Sequence, residues 1–179
     1  LAHRHLEAAG ISRQLDGVIE PASRARTLIN EVKIFRSLAD EERERLAQAM
    51  TAQQYAAGQV VLGAGDIPES LLVIATGVIS VTIAGEDGPV EAGRMGPGEV
   101  MGEQSVLDDT PSEASFTALT SCIIYRIDKS LTRECMQQRT EVTQALHKLQ
   151  AVREQSSRLA LMAKPSPIKK GGFLGWLKR

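Results

Sequence analysis

Aromatic residues are scarce in this chain, with Phe, Tyr and Trp making up 3% of its 179 residues. A core must therefore be built from Leu, Val, Ile and Ala. Cysteine is nearly absent: Cys122 and Cys135 are too few for a disulfide framework and lack metal-ligand spacing. They read as small buried hydrophobes in a reducing setting. Charge of one sign is missing too. The formal net charge is −1, so no global field steers the chain toward nucleic acid. Long apolar runs are absent: the longest, Leu71 to Ala75, has strand length, far from the roughly 20 residues that span a bilayer. No signal peptide opens the sequence. The first residue is Leu1 rather than Met. The chain therefore reads as a piece of a longer protein, and an upstream membrane segment stays open. Histidine is limited to His3, His5 and His147. They have no metal-ligand set around them, and no nucleophile motif appears, so neither a metal site nor an enzyme is expected.

What is present suits one domain with a real core, since 42% of residues are hydrophobic. Residues 1–30 read as a helical connector. Leu1 to Ala9 has helical apolar spacing, and a second helix is expected from about Ala22 to Val32. Ser37-Leu38-Ala39-Asp40 has the form of a capping box, opening a helix that runs to about Met50. The pattern then changes to short β-branched stretches punctuated by glycine: 59–62, 70–76, 78–83, 90–95, 116–119 and 122–127. Asp87-Gly88 marks a hairpin. Strands this short and regular predict a barrel or jelly roll. Asp128 can cap a long helix from Lys129, on which Val142, Ala145, Leu149, Val152 and Leu159 fall near heptad spacing. That stripe either packs on the chain's own roll or forms a dimer seam. Residues 31–153 thus form the main domain, and residues 154–179 are the helix end and a basic, Pro/Gly-broken tail.

The segment from Gly96 to Ser115 carries the functional signal. Gly96, Gly98 and Gly102 permit backbone with φ > 0, and a short helix is expected over 103–107. Such a turn aims successive N–H groups into one concavity, a nest for an anion. A tight turn without any ligand is the other reading of the same residues.

Taken in order, Ala57-Gly58-Gln59-Val60-Val61, Gly65-Asp66, Gly77-Val78-Ile79-Ser80-Val81, Gly96-Pro97-Gly98-Glu99, Met101-Gly102-Glu103 and Tyr125-Arg126-Ile127-Asp128 resemble the cyclic-nucleotide-binding domains of bacterial regulators, kinases and channels. The resemblance implies an α+β fold. Its antiparallel, jelly-roll-like β-roll is flanked by N-terminal helices and a long C-terminal helix. It also implies a ligand, cAMP or cGMP, held by Met101, Gly102, Glu103, Gln104, Ser105, Ser112, Glu113, Ala114 and Ser115. In that mapping Glu103 accepts the ribose 2′-OH, and N–H groups near Gly102 and Ser105 hold the phosphate. The family's Pro-Arg-x-Ala maps onto Pro111-Ser112-Glu113-Ala114, so Ser112 stands where the phosphate-gripping Arg belongs. Losing one charge-assisted hydrogen bond costs about 1.5–3 kcal/mol, which is roughly tenfold to a hundredfold or more in affinity. Asp108, Asp109 and Glu113 add like charge nearby. Arg94 or Arg133 could supply a replacement cation. The alternative is a ligand-free interaction or dimerisation module.

Two flanking features set the expected context. His5-Leu6-Glu7-Ala8-Ala9-Gly10-Ile11 resembles the closing helix of the cytoplasmic domain of small-conductance mechanosensitive channels. That resemblance implies the cytoplasmic gating module of a bacterial inner-membrane channel, with an upstream channel domain and a homo-oligomer as partners. In the 164–179 tail, Lys169, Lys170, Lys178 and Arg179 flank Phe173, Leu174, Trp176 and Leu177, a composition suited to an anionic membrane surface. After about Ala163 too little chain remains for a helix-turn-helix module, so no nucleic-acid partner is expected.

Overall fold

The most apolar run of the chain, Ser70–Thr76, is a strand whose two faces are both covered. This run organises the molecule. The computed structural model describes residues 21–163. The expected helix over 1–9 and the basic tail over 164–179 lie outside the described residues. Helix α1 (Pro21–Glu31), a 3₁₀ turn (Lys33–Phe35) and helix α2 (Asp40–Ala49) lead into β1 (Thr51–Tyr55), β2 (Val60–Leu62), β3 (Ser70–Thr76), β4 (Ile79–Gly85) and β5 (Gly88–Met95). Then come β6 (Val100–Met101), α3 (Glu103–Asp108), β7 (Ala114–Ala118), β8 (Cys122–Asp128), α4 (Lys129–Gln138) and α5 (Thr140–Met162). The strands form two antiparallel four-stranded sheets, ordered β1-β8-β3-β6 and β2-β7-β4-β5. This is the α+β, jelly-roll-like architecture expected from the strand pattern.

Period-two alternation divides β3 and β8 between two cores. Leu72, Ile74 and Ile124 point into the roll, where they meet Leu62, Ile79, Met95, Met101 and Phe116. Leu71, Val73, Tyr125 and Ile127 point the other way, onto Ile29, Val32, Phe35, Leu46, Val142 and Leu146 of the helical layer. One sheet thus serves as the shared wall of roll and helices. The turn before the cassette is laced to this wall: Gly98 N–H donates to Ile74 O and Ile74 N–H to Glu99 O.

Several boundaries differ from expectation. The capping group of α2 is two residues later than Ser37. Glu42 Oε2 accepts the Ala39 N–H at 2.6 Å, and Ala39 occupies the N-cap. The hairpin pairs Gly85 with Gly88, leaving Glu86 and Asp87 at its tip. Strand β1 had no sequence signal: Thr51-Ala52-Gln53-Gln54-Tyr55 is an exposed edge without apolar alternation. The single long helix expected from Lys129 is two helices. Arg139 breaks it with extended backbone (φ −135°, ψ 102°), and its guanidinium donates to both Glu42 carboxylate oxygens at 3.2 and 3.0 Å.

Hydrogen bonds from Arg139, then from the Ala39 N–H, hold the Glu42 carboxyl below the usual Glu range. A carboxylate with a depressed folded value stabilises the protein above its unfolded value, about 4.3 for Glu. That stabilisation is lost as pH falls through the lower folded value. Glu42→Gln is therefore expected to lower the melting temperature at neutral pH. The gap from wild type should close as the pH drops below about 4, as measured by thermal melts across that range.

Candidate ligand-binding site

The turn at 96–99, helix α3 and the start of β7 frame one wall of a cavity of about 230 Å³. Gly102 opens α3 with φ 88°, and a Cβ there would stand 3.1 Å from Ser70 O and 3.2 Å from Pro68 Cγ. Glycine is thus strongly favoured by the left-handed backbone, and a Cβ would also be tightly crowded. Val81, Ile83, Met95 and Phe116 of the roll supply an apolar floor, and α5 crosses above with Leu149 and Arg153. The strand, one-turn helix and returning strand expected over 95–116 are all present.

Of the nine residues predicted to bind, Gly102, Glu103, Gln104, Ser105, Ser112, Glu113 and Ala114 line this cavity. Met101 lies behind it in the roll core. Ser115 faces the 63–66 turn, where its Oγ accepts the Ala64 N–H at 3.0 Å. The serines that do line the cavity are committed elsewhere. Ser105 Oγ donates to Pro68 O, and Ser112 Oγ donates to Ala114 O, each at 2.7 Å. The Ser112 backbone is tied into the opposite turn by its N–H to Asp66 O and its carbonyl from Gly65 N–H. Gln104 Oε1 takes the Glu113 N–H at 3.4 Å, bridging α3 to the loop before β7.

Glu103 is the exception. It is 5% exposed, yet its carboxylate faces the cavity. Oε2 accepts a hydrogen bond from Arg153 Nη1, while Arg153 Nη2 donates to Val100 O and approaches Met95 Sδ at 3.8 Å. Among the described residues Oε1 of Glu103 has no partner. A buried carboxylate needs such a counter-charge, because desolvation without one is costly. Sequence reasoning did not identify Arg153. It stands 50 residues from Glu103, and its helix was read for its apolar stripe rather than for its charged positions.

The two cations considered from sequence do other work. Arg94 pairs with Glu91 at 2.7 Å on exposed β5, at the cavity rim. Arg133 donates to the Ser105 and Val106 carbonyls and to Asp109, at the C-terminal end of α3 where a cation is favoured. Asp109 caps α3 in left-handed backbone (φ 55°) and grips Arg133 and Lys129, whose hydrogen bonds hold its carboxyl below the usual Asp range. Its charge is therefore committed away from the cavity, contrary to the expectation that it would crowd a bound anion.

Replacing Arg153 by Met strands Glu103 in a poorly solvated place. The expected cost is about 1–3 kcal/mol in chemical denaturation. Glu103→Gln on top of it should recover most of that loss, since the buried charge goes with it. A double-mutant cycle showing no coupling would contradict the pairing.

Comparison with known proteins places this geometry. The pattern of the family described as "Cyclic nucleotide-binding domain" matches residues 52–139. The cAMP-dependent protein kinase regulatory subunit of Yarrowia lipolytica is 31% identical over 115 residues, 64% of this chain and 30% of that protein. Among solved structures, the regulatory domain of Toxoplasma gondii PKA with cAMP superposes with a TM-score of 0.67 at 19% identity, covering 73% of this chain and 50% of that one. A Trypanosoma cruzi regulatory subunit of a cAMP-independent protein kinase A, bound to guanosine, gives 0.63 at 23%, covering 73% and 48%. These relatives are kinase regulatory subunits, not channels. Among the described residues no helix is long and apolar enough to cross a membrane. The expected placement in an inner-membrane channel is corrected accordingly. Through residues 52–139, just under half of its length, and the cassette they contain, the chain matches the cyclic nucleotide-binding domain family.

Proposed function

We propose that this domain is a regulatory sensor of a ribose-bearing ligand, with α5 as the element that reports occupancy. One observation carries the reading. Glu103 is buried at the cavity wall with one oxygen unpartnered among the described residues and the other held by Arg153 of α5. A ribose hydroxyl donates to such a carboxylate and competes with the guanidinium for it. Empty and occupied states then differ in a contact made by α5, the differential interaction a ligand needs to shift a conformational equilibrium. The solved relatives hold cAMP in one case and guanosine in the other, which supports the roll as the ligand's seat.

Cyclic-nucleotide binding is weakened in this chain. Ser112 offers no charge, and its hydroxyl proton is already given to Ala114 O. Val152, Leu159, Leu161 and Met162 are exposed on α5, which favours a second reading, a ligand-free interaction module.

Calorimetry with cAMP separates the two. The double variant Ser112→Arg/Glu113→Ala is expected to bind cAMP at least tenfold tighter than wild type, from one restored charge-assisted contact. Adding Glu103→Ala should remove that binding. A titration unchanged by the double variant would leave the interaction module as the reading.

A further inference from the structure

We infer that the cavity takes an uncharged ribonucleoside in preference to its 3′,5′-cyclic phosphate. The inference rests on the sensor reading and names the ligand class of that same site.

The charges that line the cavity carry the argument. Four carboxylates, Glu99, Glu103, Glu113 and Glu154, face two guanidiniums, Arg94 and Arg153. Each guanidinium is already engaged. Arg94 pairs with Glu91 on the outer strand. Arg153 is held at the sugar side by three groups, Glu103, the Val100 carbonyl and Met95. On the side of the cavity where a phosphate would sit, Ser105 and Ser112 have donated their hydroxyl protons to carbonyls. There Gln104 presents its amide oxygen toward the Glu113 N–H. An anion entering this half meets the backbone N–H groups that open α3, but also hydroxyl acceptors and the Glu113 carboxylate, with no unpaired cation to offset its desolvation. A nucleoside carries no such charge. Its sugar hydroxyls donate to Glu103, and its base lies against the apolar floor of Val81, Ile83, Met95 and Phe116. The features that penalise the phosphate leave these contacts untouched.

The test is calorimetric titration of the whole wild-type chain with adenosine, guanosine, 2′-deoxyguanosine, cAMP and cGMP, which needs no variant to fold. At least one ribonucleoside is expected to bind tenfold or more tighter than its cyclic phosphate, with the 2′-deoxy compound tenfold or more weaker than guanosine. In the Ser112→Arg/Glu113→Ala variant the order should reverse in favour of the cyclic phosphate. Wild-type binding of cAMP or cGMP at least as tight as that of the nucleoside overturns the inference while leaving the sensor reading standing. If that binding is lost in Arg153→Met, Arg153 is itself the phosphate clamp. Silence toward all five compounds at millimolar concentration overturns both the inference and the sensor reading.

Discussion

A buried ion pair joins the cassette of the roll to the last helix. Glu103 belongs to the cassette, between β6 and β7 of the roll, and Arg153 belongs to the last helix. The Glu103 side chain is 6% exposed and that of Arg153 23%. A charge that deep is tolerated only with its partner in place, so the ion pair adds to the packing of Val142 and Leu146 in holding α5 against the roll. Around this pair the remaining polar groups of the cavity are largely self-satisfied. Ser105, Ser112 and the Gln104–Glu113 bridge all spend hydrogen-bonding capacity within the protein. What is left open above the apolar floor is half of the Glu103 carboxylate, with the Glu113 and Glu154 carboxylates also on the cavity wall.

The fold was largely readable because its signals are local. Glycines at 58, 65, 77, 98 and 102 adopt positive φ, and the stretches between them are the strands. The run at Ser70–Thr76 was recognisable as a strand with matching ends, although its burial on both faces emerges only once the helices are placed. The edge strand Thr51–Tyr55 had no signal, because it is held by backbone pairing to β8 and buries almost nothing. The cassette was legible as a motif, and the absence of its arginine was legible as a single letter. Its electrostatics were not. Asp109 looked like a hazard to any anion, yet it turned out to be a cap for α3 gripped by Lys129 and Arg133. Arg153 left no trace, since a charged residue on an amphipathic helix ordinarily faces water, and only the packing of α5 across the mouth brings it inside.

The shared wall of β3 and β8 joins cassette and helices into one packed body. Alternate residues of the same two strands belong to the core of the roll and to the core of the helical layer. Close-packed interiors transmit small shifts because they have no slack to absorb them. The turn at 96–99 is bonded directly to Ile74 of that wall. A rearrangement at the cavity therefore begins already in contact with the surface on which α1, the 3₁₀ turn and the base of α5 are packed.

The interruption at Arg139 gives this arrangement a mechanical character. Extended backbone between α4 and α5 makes a fulcrum, and Arg153 lies roughly 20 Å along the arm from it. In the proposed sensor, release of Arg153 from the roll would let α5 turn about this break while α4 stays in place. The break is tied through the guanidinium of Arg139 to Glu42 at the start of α2, so in the proposed sensor a turn of the arm would bear on the amino-terminal flank, nearly a hundred residues upstream.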